Sequence, residues 1–254
     1  MRQLIQTIKH GRIHELRLAR PPVNASNPAL CQALCEAMDS AIANGAEGLV
    51  LSGGPKVFSA GLDVPLLLSI QEDGQALYDA WNGFFDAARA LAACPVPVAA
   101  AIAGHAPAGG CVLALCCDWR VMAESPFGIG LNETQVGIAI PPGIMRLMQR
   151  TVGARQAEAL LLAGAMVESS RALDMGLVDG LAAADVVEAR AADRINLLLD
   201  LPRAPMLATR KLLRADLVEA VSPASMQLEQ CLESWRSADT QQALRAMVAR
   251  IGKG

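Results

Sequence analysis

The stretch Gly104–Glu133, GHAPAGGCVLALCCDWRVMAESPFGIGLNE, decides the fold expected for this chain. It begins with a glycine turn, continues into an apolar segment and ends on one carboxylate in a glycine-rich loop. The run before it, Cys94–Ala103, is apolar, is bounded by prolines, and is too short for a helix of ordinary length. The pattern predicts a buried strand, then a tight turn, then a helix.

The turn itself carries the first functional signal. Pro107, Gly109 and Gly110 let the backbone turn sharply, and a helix is predicted to begin near Cys111. The free N–H groups at the start of a helix, together with the positive end of its dipole, favour an oxygen atom that carries negative charge. The turn is therefore a candidate anion site. The alternative is a strand-to-helix connection whose glycines serve packing alone.

A similar unit lies earlier in the chain. Gly48–Ser52 is predicted to be a short buried strand, and it is followed by the turn SGGPKVFSAGLDV and then by a helix that ends near Ala93. Two strand–turn–helix units predict a layered α/β core in which two backbone turns lie at one edge.

The remaining pattern is mixed at the start and helical at the end. Strands are predicted at Leu4–Lys9 and Ile13–Leu18, and a helix at Pro28–Ala43 behind an Asn27 or Ser26 cap. Further predicted elements are a helix over Ile144–Val152, a helix in GARQAEALLLAG, a helical turn in SSRALDMGLVDGL, a strand at Leu177–Val178, helices from Ala182 onward, and an amphipathic run from Ser222 to Ile251. This C-terminal region is expected to need the core or another subunit as a partner for its apolar faces.

Composition narrows the class of protein. The chain has 254 residues, of which 53% are hydrophobic and 19% charged, as in a globular protein with a substantial core. A net charge of −3 and a pI near 5.7 argue against a broad surface for nucleic acid or anionic membranes. Neither a signal-peptide pattern nor a run of the ~20 apolar residues that span a bilayer occurs. A cytoplasmic location is predicted.

Several familiar site types are not indicated. The seven cysteines contain no CxxC pair and the three histidines lack HExxH spacing, so neither a disulfide framework nor a metal site is predicted. The cysteines are expected in the core. No GxSxG marks a serine hydrolase. Glu133 takes the third glycine position of a GxGxxG-like run from Gly128, which argues against dinucleotide binding.

Three motifs occur in the order KVFSAGLDV, AIAGHAPAGGCVLALCCDWRVMAE and GIGLNETQVGIAIPPG. Together they resemble the enoyl-CoA hydratase/isomerase, or crotonase, superfamily over nearly the whole chain. The third motif, with PAGGC before it, is similar to the mitochondrial-type enoyl-CoA double-bond isomerases. The resemblance implies an α/β fold, with a crotonase-like spiral of ββα units in residues 1–190. It also implies a C-terminal helical oligomerisation region in residues 191–254, which forms homotrimers or dimers of trimers.

The resemblance also implies a coenzyme A thioester as substrate, with coenzyme A as part of that substrate and with no separate cofactor. Two backbone N–H groups would hold the thioester oxygen, at Ala60 in the FSAG turn and at Gly109 in the GG turn. One fixed donor of this kind contributes about 2.7–4 kcal/mol when negative charge develops on the oxygen. Side chains are not needed for this task, which agrees with the small residues of both turns.

The carboxylates distinguish between the family's reactions. Hydratases of the superfamily use two glutamates to hold and split water, and the corresponding positions here are Val112 and Glu133. A valine cannot orient water, whereas one carboxylate suffices to move a double bond, as base at the α-carbon and as acid at the γ-carbon of a 3-enoyl thioester. The resemblance therefore implies an enoyl-CoA isomerase with Glu133 as its catalytic residue. The alternatives are a hydratase or other crotonase-type acyl-CoA reaction, and an acyl-CoA-binding scaffold without catalysis.

Further positions follow from the resemblance. Adenine and pantetheine of coenzyme A would pass Asn24 and Ala25, and Arg250, with Lys253, would reach a coenzyme A phosphate from a neighbouring subunit; a solvated helix end is the alternative for these cations. The full set of predicted substrate-binding residues is Asn24, Ala25, Ser59, Gly61, Val112 and Arg250. Three other polar residues, expected to orient turns or serve structure, are Asp63, His105 and Asp118.

Overall fold

The structure, a computed structural model, describes residues 3–124 and 126–251. Its strands are β1 (Ile5–His10), β2 (Ile13–Leu18), β3 (Gly48–Ser52), β4 (Val98–Ile102), β5 (Ala106–Pro107), β6 (Trp119–Ala123), β7 (Gly128–Gly130), β8 (Val167–Glu168) and β9 (Gly180–Ala182). Its helices are α1 (Pro28–Ala43), α2 (Val64–Ser69), α3 (Gly74–Ala93), α4 (Gly109–Leu115), α5 (Pro142–Val152), α6 (Ala154–Ala163), α7 (Ser169–Asp174), α8 (Val187–Leu199), α9 (Arg203–Leu213), α10 (Ala215–Ala220), α11 (Pro223–Met226), α12 (Leu228–Arg236) and α13 (Ala238–Ile251), with a 3-10 turn at Glu133–Val136.

The central sheet brings the two glycine turns to one edge. Its strands lie in the order β1–β2–β3–β4–β6–β9; β1 and β2 are antiparallel, and the other neighbours are parallel. Leu49 of β3 pairs with Val98 of β4, so the strands that precede the two turns are direct neighbours. Because the carboxyl ends of parallel strands share an edge, both turns begin side by side. A smaller sheet has the order β5–β7–β8.

Strand β4 shows why its sequence is continuously apolar. Val98, Ala100 and Ile102 belong to the larger core cluster, whereas Ala99 and Ala101 belong to a second cluster on the opposite face. Helix α8 contributes the apolar residues that cover this second face. A parallel sheet that is buried on both faces has no polar side, so polar and apolar residues do not alternate along its central strands.

Most predicted elements of the first half are confirmed. Helix α1 has the predicted bounds, and the side chain of Asn27 caps it by accepting a hydrogen bond from Leu30 N–H at 2.9 Å. Helix α4 begins at Gly109, two residues before the predicted start, because Ala108 already completes the turn with a φ of 48°.

The strand predicted at Leu177–Val178 is wrong. Both residues are buried, but they lie in the connection after α7, and the strand β9 begins at Gly180. Its partner is β6, with Val121 opposite Gly180. The short apolar run therefore predicted burial correctly. The strand itself lies further along the chain, where the residues pair with β6.

The C-terminal helices pack mainly on their own chain. The apolar stripe expected to need a partner consists of Leu228, Leu232, Trp235, Leu244 and Val248. The first four are at most 6% exposed within this chain, and Val248 is half-buried. Helix α9 differs, since none of its residues is buried. The amphipathic run Ser222–Ile251 is thus part of the core and not a free appendage.

Asp118 joins the sheet to this helical region. Its carboxylate accepts hydrogen bonds from Val98 N–H at 2.7 Å, from Arg210 at 2.8 Å and from Arg214 at 3.0 Å. Arg214 is 6% exposed, so the ion pair is largely shielded from water. The structural role expected for Asp118 is confirmed.

Three global features concern the described part of the chain. Across residues 3–124 and 126–251, no helix combines the length and the apolar character that a membrane span requires. All seven cysteines are free thiols; six are buried and Cys35 is half-buried, as predicted for core residues. No group of three or more metal-ligating side chains occurs in the same described ranges.

Candidate active site

The turn after β3 is fastened to the segment that follows β2. Ala60 N–H donates to the Val23 carbonyl at 2.9 Å, and Ser26 N–H donates to the Gly61 carbonyl at 2.6 Å. Asp63 N–H donates back to the Ser26 carbonyl at 3.0 Å. Bonds on both sides hold the backbone of this turn in one conformation, which is the condition for a preorganised hydrogen-bond donor.

The donor left free by these bonds is Leu62 N–H. Gly61 N–H donates to Ser59 Oγ at 3.3 Å, so within the described segment 60–63 only the N–H of Leu62 has no acceptor. The prediction that Ala60 supplies an oxyanion donor is therefore wrong, because its N–H is bonded to Val23. The geometry assigns this donor to Leu62, which lines the cavity described below.

The two glycine turns are in direct backbone contact. A Cβ atom added to Gly61, whose φ is +78°, would lie 2.6 Å from Gly109 N. A Cβ atom on Gly109 would lie 2.9 Å from Gly61 Cα and 2.8 Å from Cζ of Phe84. Both positions therefore require glycine. The predicted side-by-side arrangement of the turns is confirmed, and Gly109 N–H has no acceptor among the described residues.

Glu133 is a buried carboxyl group without a charged partner. It starts the 3-10 turn after β7 and is 8% exposed. Its Oε2 atom is buried and forms no hydrogen bond with the described residues. Burial disfavours the charged form and raises the pKa of Glu133 to about 7. Both protonation states are thus available near neutral pH, as an acid/base residue requires.

Neighbouring elements hold the Glu133 turn in place. Thr134 Oγ1 donates to the Leu161 carbonyl at 3.0 Å, and Ile138 N–H donates to the Glu133 carbonyl at 2.9 Å. Gly137 ends the turn with a φ of +77°, and Thr240 Oγ1 of α13 donates to its carbonyl. The acid/base group is therefore positioned by α6 on one side and by α13 on the other.

A cavity of about 430 Å³ unites these groups. Leu62, Gly109, Val112 and Glu133 all line it. Its walls are otherwise mainly apolar, with contributions from Val23, Ala25, Val64, Trp81, Phe84, Phe85, Val136, Ile138, Ile144 and Met247. Two free N–H groups and a carboxyl group without an ion-pair partner, in a mainly apolar cavity, can stabilise an oxyanion and move a proton. The second carboxyl group in the wall, Asp63, is paired with Arg20.

A larger cavity of about 580 Å³ lies between α8 and α9. Its charged side chains, Asp118, Arg120, Arg150, Arg210 and Arg214, are all engaged in ion pairs. It therefore offers neither a free acid nor a free base, and the smaller cavity is the better candidate for chemistry.

The other predicted substrate-binding residues separate into two groups. Ala25 lines the Glu133 cavity. Asn24 does not, because its Oδ1 accepts from Arg20 N–H at 2.9 Å and its Nδ2 donates to the Phe58 carbonyl at 3.0 Å. Ser59 is fully buried and its hydroxyl donates to the Asn24 carbonyl at 2.8 Å. Ser59 thus differs from the prediction, because it holds the turn rather than facing the substrate. The side chain of Asn24 also holds the turn, but the residue lines a neighbouring cavity, so its contact with coenzyme A stays a prediction.

The structure places Arg250 outside the wall of the Glu133 cavity. Arg250 is exposed on the last turn of α13 and is not among the residues that line the cavity, whereas Met247 of the same helix is. Lys253 lies outside the described residues. A contact of Arg250 with coenzyme A across subunits stays a prediction.

Two other polar residues have the structural roles expected for them. His105 Nδ1 accepts from Gly128 N–H at 2.9 Å. Asp63 caps α2 by accepting from Leu66 N–H at 3.1 Å, and it pairs with Arg20 at 2.6 Å.

Sequence comparison identifies the family. The sequence model of the enoyl-CoA hydratase/isomerase family matches residues 9–249. The chain belongs to this family. A crotonase-type reaction of an acyl-CoA thioester is the activity that membership supports, and the resemblance seen in the three motifs is confirmed.

Individual relatives carry two different activity names. The chain is 33% identical to mitochondrial enoyl-CoA delta isomerase 1 of Mus musculus over 217 residues, which cover 84% of this chain and 74% of that protein. It is 32% identical to a probable enoyl-CoA hydratase of Mycobacterium avium (strain 104) over 196 residues, or 77% of this chain and 75% of that protein. The first relative is mitochondrial, so the cytoplasmic location stays a prediction.

A solved structure confirms the fold class. The crystal structure of human mitochondrial delta3-delta2-enoyl-CoA isomerase superposes with a TM-score of 0.89 at 25% sequence identity, and covers 99% of both chains. The crotonase fold with a helical C-terminal region is therefore established, whereas the division at residue 190 stays a prediction.

Gly109→Ala tests the contact between the turns. The added methyl group would meet Gly61 and Phe84 and push the donor at residue 109 out of place. Turnover of an enoyl-CoA substrate is expected to fall by about 10²–10³-fold, the effect of one lost oxyanion donor. The matched control is Gly83→Ala in α3, where nothing lies within 4 Å of an added Cβ. Equal kinetics of Gly109→Ala and Gly83→Ala would contradict the assignment.

Glu133→Gln tests the buried carboxyl group through stability. The folded protein raises the pKa of Glu133 from 4.5 to about 7 and therefore favours the neutral carboxyl group. The contribution of this preference to stability is complete below pH 4.5 and is lost as the pH rises through 7. The glutamine of the variant stays neutral at every pH. The free energy of unfolding of Glu133→Gln should therefore equal that of the wild type in acid, and should be higher by on the order of 3 kcal/mol above pH 7.

Urea denaturation at both ends of this pH range measures the difference. The control is Glu158→Gln, whose parent side chain is 60% exposed and should show no such trend. A pH-independent difference between Glu133→Gln and the wild type would mean that Glu133 is not held in its neutral form.

Proposed function

We propose that this protein is an enoyl-CoA isomerase that converts a 3-enoyl-CoA into the trans-2-enoyl-CoA. The observation that carries the proposal is a buried carboxyl group without an ion-pair partner, Glu133, in a cavity that also contains two free backbone donors and the apolar side chain of Val112. This set matches a proton shuttle next to an oxyanion. The other carboxylate in the cavity wall, Asp63, is paired with Arg20 and caps α2, so it is not free to hold water.

The mechanism follows from the roles of these groups. Ionised Glu133 removes a proton from the α-carbon of the 3-enoyl thioester, and negative charge develops on the thioester oxygen. Leu62 N–H and Gly109 N–H stabilise this oxygen in an apolar environment, where a fixed donor is stronger than in water. The protonated Glu133 then returns the proton to the γ-carbon, which restores the base and leaves the double bond between the α- and β-carbons.

The raised pKa suits this cycle. A group with a pKa of about 7 is ionised often enough to act as base, and it holds a proton well enough to act as acid in the next step. The same property argues against a scaffold without catalysis, since a buried carboxyl group that forms no structural hydrogen bond through Oε2 lowers stability without a visible gain.

Hydration is the second candidate, favoured by the relationship to a probable hydratase. Val112 argues against it: this fully buried side chain has no lone pair or N–H with which to orient a water molecule. A reaction that only moves a proton needs no redox group, so the proposal includes coenzyme A as part of the substrate and no separate cofactor.

We further propose that the chain forms homotrimers or dimers of trimers. The support comes from α9 and not from the C-terminal stripe, which is buried within the chain. Leu212 and Leu213 at the end of α9 are 78% and 67% exposed, and Leu201 just before it is 50% exposed. Adjacent exposed leucines favour contact with another subunit.

Glu133→Gln separates the mechanisms through turnover. The amide keeps the size of the side chain and removes the base, so isomerisation of a 3-enoyl-CoA should fall by at least ~10²-fold. Binding of a saturated acyl-CoA should survive, because the oxyanion donors belong to the backbone. Wild-type rates on a 3-enoyl-CoA and on a 2-enoyl-CoA of the same chain length supply the comparison. Hydration as fast as isomerisation, or full isomerase activity of the variant, would refute the proposal.

The assembly is tested by sedimentation equilibrium. The wild type should sediment as a trimer or hexamer at micromolar concentration, and Leu212→Glu should dissociate it, because a charge buried in an apolar interface is unfavourable. Leu162→Glu is the control, since this leucine is 76% exposed but belongs to α6 and not to α9. A stable monomer of the wild type would count against the assembly.

A further inference from the structure

The Glu133 cavity has two chemically different ends. Arg20 and Asp63, an ion pair with side chains 30% and 12% exposed, line one part of it. Trp81, Phe84 and Phe85 of α3 line another part and are at most 3% exposed. The charged groups reach solvent and the aromatic groups do not, so the aromatic side chains form a closed part of the cavity wall.

Trp81 packs against other buried aromatic side chains. Its ring lies edge-on to that of Trp235, with centroids 5.8 Å apart and planes at 78°, and it meets Phe85 at 6.0 Å and 62°. Trp235 is fully buried and does not line the cavity. The indole ring of Trp81 therefore separates the cavity from the core. Because the core behind the ring is closely packed, the ring cannot shift away from the cavity.

Each oxyanion donor adjoins one of these two parts, since Leu62 directly precedes Asp63 in the chain and Gly109 lies against Phe84. Phe84 touches the position of a Gly109 Cβ at 2.8 Å, so the aromatic wall begins directly beside this donor. A thioester whose oxygen accepts from Gly109 N–H has two arms. The polar coenzyme A arm keeps its hydration on the side of Arg20 and Asp63, whereas the hydrocarbon arm loses its contact with water on the aromatic side.

We propose that Trp81 is a specificity-determining residue that sets the maximum length of the acyl chain. This inference rests on the proposed function, because it takes the bound molecule to be an acyl-CoA. Each CH₂ group that enters the apolar cavity should tighten binding about fourfold. Once the acyl chain reaches the indole ring, the next CH₂ group must either stay in water or overpack the cavity wall. Further CH₂ groups then no longer tighten binding. The acyl groups selected are unbranched hydrocarbons below this limit.

The test is a binding series with saturated acyl-CoA thioesters of increasing even chain length, measured by isothermal titration calorimetry. Saturated thioesters cannot isomerise, so the result does not depend on turnover. In the wild type, Kd should fall about fourfold per CH₂ and then stop falling at one chain length. In Trp81→Ala this limit should move to longer chains. A chain two CH₂ groups beyond the wild-type limit should then bind at least about tenfold more tightly to the variant.

Two further variants keep the test decisive. Trp81→Phe preserves an aromatic ring and should give an intermediate limit, which covers the case in which Trp81→Ala does not fold. Because Trp81 Nε1 has no hydrogen-bond partner among the described residues, neither substitution leaves a partner unsatisfied. Tyr78→Ala, one turn earlier on α3, is the control, since Tyr78 is 36% exposed, does not line the cavity and should keep the wild-type limit.

The outcomes are distinguishable. An unchanged limit in folded Trp81→Ala and Trp81→Phe, or a wild-type series that tightens without a limit, would overturn the inference and leave the isomerase proposal standing. Failure of the wild type to bind any acyl-CoA would overturn the proposed function and the inference together.

Discussion

The site depends on one steric constraint: the backbones of two turns approach more closely than side chains allow. A Cβ atom on Gly61 or Gly109 would lie within 3 Å of the opposite turn. The parallel pairing of β3 with β4 brings the turns together, and glycine on both sides lets them touch. The two N–H groups of Leu62 and Gly109 are consequently delivered to one cavity by main-chain geometry alone.

The second element of the site is a compromise between stability and chemistry. Glu133 sits among apolar walls that raise its pKa to about 7, and no described cation compensates its charge. Such burial disfavours the ionised form of the folded protein, yet it matches the proton affinity of the group to neutral pH. Val112 adds to this environment, because it lines the same cavity with hydrocarbon.

The C-terminal helices belong to the site as much as to the core. Thr240 of α13 binds the Gly137 carbonyl next to the Glu133 turn, and Met247 lines the cavity. Trp235 of α12 supports Trp81 from behind. One chain therefore supplies both turns, the acid/base group and the aromatic wall of the cavity, whereas Leu212 and Leu213 of α9 face outward.

The sequence by itself determined the local elements and the residue types of the chemistry. Apolar runs next to glycine turns predicted β3, β4 and their connections, and the GLNE loop with Val112 upstream singled out Glu133. Only the tertiary structure decided which groups are free. Ala60 and Leu62 look equivalent in the sequence, but a hydrogen bond to Val23, a residue distant in the chain, consumes the first N–H. Ser59 changed its role for the same reason, and Trp81 became part of the cavity wall only when α12 packed behind it. Burial and hydrogen-bond partners arise from contacts between segments far apart in sequence, which local patterns do not encode.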